Sequence, residues 1–285
     1  MNHDLFSGRI VLEDTLGSAG VACDLLARRT GLSKGRVKDA MNKGALRIKK
    51  GGKGSVQRLR RATAELGRGD WISFHYDESL LAIKPHVPDL VADEGAWTVW
   101  YKPAGLLSQG NEFGDHCTLL RQAELLLEPR REAFLVHRLD GPATGLMMVA
   151  HDRDLSGRLS TLFAERQVFK RYRVMVAGSL GETGATRVLD EPLDGKDAVS
   201  HATVIETQGD RQVLDVVIDT GRRHQIRRHL AGAGAPVVGD REYGGPASPM
   251  LCLTCVELAF ADPRGNGDLR YVIRDADIEW LGLTD

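Results

Sequence analysis

Four consecutive residues, His137-Arg138-Leu139-Asp140, put an imidazole, a guanidinium and a carboxylate at the head of an apolar run. The segment passes through Asp140-Gly141-Pro142, a turn signal, and enters Leu146-Met147-Met148-Val149-Ala150, which reads as a buried strand. Charged groups are kept out of such places unless they are paired. Asp140 therefore has two readings of equal weight on this segment alone. It is a turn residue, or it is a carboxylate held for base or nucleophilic chemistry.

A second concentration of chemistry lies at Thr220-Gly221-Arg222-Arg223-His224-Gln225-Ile226-Arg227-Arg228-His229-Leu230. A helix is expected to begin near Arg223. At helical spacing Arg223, Ile226, Arg227 and Leu230 share one face. Two of these are apolar and face the core, so Arg227 is drawn inward, where its charge needs an anion; Asp140 is the expected partner. The competing reading is an ordinary amphipathic helix whose basic outer face carries Arg222, Arg223, Arg228 and His229. Downstream, Pro236-Val237-Val238-Gly239-Asp240 reads as a strand and a tight turn. Cys252 and Cys255 do not make a zinc site, because four ligands are needed and no second cysteine pair exists.

These segments need a scaffold, and 285 residues with 42% hydrophobic content can build one large domain and a small one. No apolar run reaches membrane-spanning length, and the start of the chain lacks a secretory pattern. Four scattered cysteines exclude a disulfide scaffold. The reading is a soluble, cytoplasmic protein without a membrane partner. The net charge of −1 hides an asymmetry: residues 1–70 carry 15 basic and 7 acidic residues, and the remainder is acidic. Such a split points to a polyanion-binding module joined to something else.

Residues 1–17 show no clear period and read as a leader. Helices are expected over Val21–Arg29 and Lys34–Lys43, the second capped by Ser33, with Val37, Ala40 and Met41 inward and Lys34 and Lys38 outward. Strands follow near 45–48 and 71–76. Between them lie Lys49, Lys50 and Lys53 among glycines, then Arg60 and Arg61. Glycines let a backbone approach phosphate, and the lysines add sequence-independent affinity by counterion release. Residues 77–94 read as a linker. Beyond it, strands are expected over Trp97–Lys102, Phe169–Ala177, 201–206 and 213–219, and a helix over 154–166. The irregular alternation favours an α+β fold with a mixed sheet over a doubly wound one.

In order, Lys102-Pro103-Ala104-Gly105-Leu106, His137-Arg138-Leu139-Asp140 with Thr144-Gly145, Lys170-x-Tyr172, Gly221-Arg222-x-His224-Gln225-Ile226-Arg227-x-His229 and Gly239-Asp240-x-x-Tyr243-Gly244 resemble the RluA-like family of pseudouridine synthases. The resemblance covers roughly residues 95–275. Residues 18–76, ending in Gly69-Asp70-Trp71-Ile72, resemble the S4-type RNA-binding module. Departures are Tyr101 where the family usually has Asn, Gly141-Pro142 for Arg-Asp, Ala143-Thr144 for Thr-Ser, and Leu253-Thr254-Cys255 for Leu-His-Ala.

The resemblance implies a pseudouridine synthase fold with a mixed, mostly antiparallel sheet and flanking helices over 95–285, preceded by a small S4-like α/β module. It implies isomerisation of a uridine in structured RNA, ribosomal in preference to transfer RNA, by base flipping and without a cofactor or metal. Asp140 would be the catalytic carboxylate, as nucleophile or base, Arg227 the cation that holds it, and Tyr172 the wall on which uracil stacks. The Tyr172 hydroxyl could also move the C5 proton. Arg138 would fill the vacated gap or bind phosphate, with Arg222, Arg223 and Arg228 as further RNA contacts, and His137 would support the loop. A monomer is expected, with no role for DNA. The second reading is a catalytically silent RNA-binding or ribosome-assembly protein on the same scaffold; the intact Asp140, Tyr172 and Arg227 set argues against it.

Overall fold

A computed structural model of the chain describes residues 2–4 and 8–282. The chain divides into two compact units: residues 1–85 with 109–122, and residues 86–108 with 123–285.

The first unit holds an antiparallel sheet in the order Asn2–Asp4, Arg9–Thr15, Trp71–Asp77, Leu46–Lys49, Gln57–Arg58. Helices Ala22–Thr30 and Lys34–Asn42 belong to the same unit. Ser33 caps the second helix by accepting from the Arg36 N–H. Val37, Ala40 and Met41 are fully buried and Lys34 and Lys38 exposed, so the helical period reported its inner face correctly. Part of the stretch read as a leader is a strand: Arg9–Thr15 pairs along its whole length with Trp71–Asp77. Leu12 enters the core there while Glu13 stays outside; the neighbouring Val11 blurs the two-residue alternation that would have betrayed it. The remainder of that call on 1–17 lies partly outside the described residues.

The second unit is built on a ten-stranded sheet. Its main path runs Thr186–Leu189, Ser200–Gln208, Arg211–Ile218, Phe169–Ala177, Leu253–Ala261, Thr144–Ala150, Trp97–Lys102, Asp89–Asp93. Phe134–Leu135 and Asp268–Val272 pair off this path. All neighbours are antiparallel except Thr144–Ala150 against Leu253–Ala261. This is the mixed, mostly antiparallel α+β fold expected. The stretch read as a linker also carries structure: Asp89–Asp93 is an edge strand, held by backbone pairing to Trp97–Lys102 although its own side chains are largely exposed. A strand that buries little leaves no apolar pattern to read.

Register explains how distant segments meet. Tyr172 pairs with Cys255, Cys255 with Gly145, and Gly145 with Lys102, one row crossing four strands. Gly145 has φ +107, and a Cβ there would lie 2.2 Å from the Cys255 carbonyl oxygen. Only glycine admits the parallel neighbour at this point. The row ends beside the turn that carries Asp140.

Candidate active site

Asp140 has the turn geometry its segment allowed, and it also lines a pocket. Its carbonyl accepts from the Ala143 N–H across Gly141-Pro142, so it opens a tight turn. Its side chain also lines a pocket of about 240 Å³ shared with Tyr172, Arg227, Arg138, His224 and Leu253. The turn is braced from three sides. Ser108, buried, donates its hydroxyl to the Leu139 carbonyl and accepts from the Leu139 N–H. Gly105 N–H donates to the Gly141 carbonyl. Lys102, wholly buried, donates its ammonium protons to the carbonyls of Pro103, Leu106 and Gly141 at 3.1, 2.8 and 3.1 Å. Burial pulls the Lys102 pKa down to about 7, and the Asp140 carboxylate opposes that pull. Three carbonyl acceptors match the three donors that only the charged ammonium has, so the geometry holds Lys102 protonated.

His137 stands outside the pocket chemistry. Its Nε2 accepts from the Met148 N–H, and its ring stacks on Phe163 at 4.2 Å. Burial, helped by the Lys170 charge, pushes its pKa down to about 3. It is a neutral loop support.

The second segment delivers Arg227 by a different route from the one its period implied. The helix is Gln225–Gly232, two residues later than expected, because His224 sits at φ 52, outside helical space. Gln225 fixes the turn before it. Its carbonyl oxygen accepts from Thr220 Oγ1 and the Arg222 N–H, and its amide donates to the Val199 carbonyl and Ser200 Oγ. Arg227 is buried as expected, but its main partner is Asp240, not Asp140. Nε and Nη2 donate to the two Asp240 oxygens at 2.7 Å each, and Nη2 also reaches Glu242 at 3.0 Å. Asp140 lies 3.6 Å from Nη1, a charge contact rather than a hydrogen bond. The Asp240 turn wins because it presents both carboxylate oxygens to the guanidinium fork. That turn is tight: a Cβ on Gly239 would lie 2.0 Å from the Met250 carbonyl oxygen. Burial works against the Arg227 charge, yet Asp240 and then Asp140 raise its pKa.

Tyr172 is 8% exposed, with its phenol beside Cys255 and Asp140. Burial, reinforced by both neighbours, holds its pKa well above the ordinary value. Thr254, where the resemblance leads to an expected histidine, joins Thr144 at 2.7 Å and the Trp280 indole N–H at 2.8 Å. Asp140 itself accepts no side-chain hydrogen bond among the described residues; its charged neighbours are Arg227 at 3.6 Å and the His224 Nε2 at 3.9 Å.

The basic residues separate into groups. Arg138, Arg222 and Arg223 line the pocket; Arg222 donates to the Asp197 carbonyl. Arg228 faces elsewhere and is bound through both terminal nitrogens to Asp194. In the first unit Lys34 pairs with Asp24, Lys50 with Asp70, and Arg60 with Asp115, while Lys49 lies over the Trp71 ring. Lys38, Lys53 and Arg61 are exposed and have no ion-pair partner among the described residues. Lys102, Ser108, His224, Asp240 and Glu242 were not assigned site roles from sequence; the ordered Lys102, His224 and Asp240 segments were the signal present.

The RNA pseudouridylate synthase family model matches residues 96–232. A ribosomal large subunit pseudouridine synthase D of Pseudomonas aeruginosa is 32% identical over 226 residues, spanning 73% of this chain and 67% of that protein. The chain belongs to the RNA pseudouridylate synthase family. A ribosomal large subunit pseudouridine synthase D of Xylella fastidiosa is 33% identical over 190 residues, 61% of this chain and 57% of that protein. The chain spans about half the length of several curated relatives that it matches. Human RNA pseudouridylate synthase domain containing 1 shares the fold, with a TM-score of 0.57 at 21% identity over 68% of this chain and 86% of that one. Among the described residues, no helix is long and apolar enough to cross a membrane.

Proposed function

We propose that the chain is an RNA pseudouridine synthase, a cytoplasmic isomerase that converts a specific uridine of ribosomal RNA to pseudouridine. The observation that carries this reading is the convergence of Asp140, Tyr172 and Arg227 on one pocket. The pocket holds a carboxylate that accepts no side-chain hydrogen bond among the described residues, which the silent RNA-binding alternative has no use for.

The target nucleotide leaves its stack, at a cost of a few kcal/mol. Arg222 and Arg223 hold flanking phosphates, and Arg138 either joins them or fills the gap. Uracil lies against Tyr172, and the ribose faces Asp140. The N1–C1′ bond breaks with its electron pair going to uracil. The base turns, C5 bonds to C1′, the C5 proton leaves, and N1 gains one. Asp140 either bonds C1′ or takes the 2′ proton; both roles need an uncapped carboxylate. Arg227 supplies preorganised positive charge beside it. Lys38, Lys53 and Arg61 of the first unit, an S4-like module in this reading, supply long-range attraction to RNA, and Lys34, Lys49, Lys50 and Arg60 join them when phosphate replaces their present partners.

The test is direct. Purified protein is incubated with RNA from cells lacking the gene, and pseudouridine is counted by nuclease digestion and mass spectrometry. A gain confined to a few positions of ribosomal RNA is expected. No gain in any RNA would contradict the reading.

A further inference from the structure

One charged arrangement in the pocket has no role in the steps above. His224 lies between two carboxylates, with Nε2 3.9 Å from Asp140 Oδ1 and Nδ1 3.4 Å from Glu242 Oε1. Its Nδ1 is 2.9 Å from the Tyr243 hydroxyl. Glu242 can only accept and lies 3.4 Å from Nδ1, so the tautomer is assigned with its proton on Nδ1, facing Glu242 and the phenol oxygen. That tautomer leaves the Nε2 lone pair turned toward the pocket. The residue occupies φ 52, a conformation that costs energy in a histidine and gathers at functional sites.

We propose that His224 is the base that removes the C5 proton after the C5–C1′ bond has formed and returns it to N1. The proposal rests on the isomerase reading. At that stage C5 carries four single bonds and uracil holds an N1=C6 double bond. The C5–H bond breaks and its proton passes to Nε2. Its electron pair forms the C5=C6 bond, and the N1=C6 pair moves onto N1. The imidazolium then gives the proton to N1, so no proton is gained or lost overall. Asp140 and Glu242 stabilise the imidazolium from both sides, and Glu242 and Tyr243 orient it as a carboxylate orients a catalytic histidine. Tyr172 is a poor base for this step, since burial keeps its phenol protonated.

The test uses His224→Gly and His224→Asn in the full chain, because glycine and asparagine both accept the left-handed backbone. RNA is prepared from cells lacking the gene, grown with uridine or [5-2H]uridine, and turned over once by excess enzyme. Both variants are expected to lose about a hundredfold or more in rate and to show a larger deuterium isotope effect than wild type. Imidazole should restore part of the rate of His224→Gly, which has room for it. Rates within about threefold of wild type overturn the proposal. So do slow variants with an unchanged isotope effect and no rescue, which is the pattern of a structural residue. A wild-type protein that forms no pseudouridine overturns the isomerase reading and this assignment with it, whereas an active wild type beside such variants overturns only the assignment.

Discussion

Two aspartates approach the same guanidinium from two turns, and their surroundings are opposite. Asp240 is completely enclosed and accepts from Arg227 twice and from the N–H groups of Glu242 and Tyr243. Asp140 is 18% exposed, stands 3.6 Å from Arg227, and accepts no side-chain hydrogen bond among the described residues. A carboxylate whose lone pairs are filled builds structure. One that is held near a cation but left uncapped has electron pairs to give to a substrate. Arg227 serves both: Asp240 fixes its position, and its remaining charge faces Asp140.

That contrast can be broken at either turn. Asp140→Ala should cut single-turnover pseudouridine formation about a thousandfold or more. It should change unfolding free energy by no more than about 1 kcal/mol, since no hydrogen bond is lost; urea titration checks this. Asp240→Ala should do the reverse first. It leaves a buried guanidinium without its main partner, at a cost of about 3 kcal/mol or more, and activity falls because the fold around Arg227 fails. Equal stability losses in the two variants would erase the distinction.

Smaller effects sharpen it. Lys102→Met should leave the Pro103 and Leu106 carbonyls without a donor, the Gly141 carbonyl keeping the Gly105 N–H, and cost about 2 kcal/mol or more, seen as a lower urea midpoint. His137 makes a pH-dependent contribution. Its folded pKa of about 3 lies below the ordinary value of 6.5, so the unfolded chain takes up a proton that the folded one refuses. Its stabilisation is complete above 6.5 and declines by about 1.4 kcal/mol per pH unit as pH falls toward 3. His137→Gln, which keeps an acceptor for Met148, should flatten that decline. Among cations, Arg223→Ala should lower RNA affinity and reduce the salt slope by about one. Arg228→Ala should do neither, because Asp194 already occupies that side chain.

The difference between the turns also marks what sequence could report. Trp97–Lys102 and Phe169–Ala177 were legible to the residue, since Pro103-Ala104-Gly105 breaks the first and the second carries an alternating apolar pattern. Helical period placed Arg227 inside. It could not say which carboxylate Arg227 meets, because the choice between Asp240, 13 residues on, and the far more distant Asp140 depends on how the Gly239–Gly244 turn closes. His224 was hidden for a related reason: its left-handed backbone is imposed by the Gln225 hydrogen bonds on one side and the helix on the other. The Arg9–Thr15 strand escaped because one apolar residue out of phase removes the alternation.

The most direct test of the isomerase account is a transcriptome-wide pseudouridine map in cells lacking the gene, complemented with wild type or Asp140→Ala. One or a few ribosomal RNA sites should disappear with the gene, return with wild type, and stay absent with Asp140→Ala. Restoration of those sites by Asp140→Ala would contradict the central claim that the uncapped carboxylate carries the reaction.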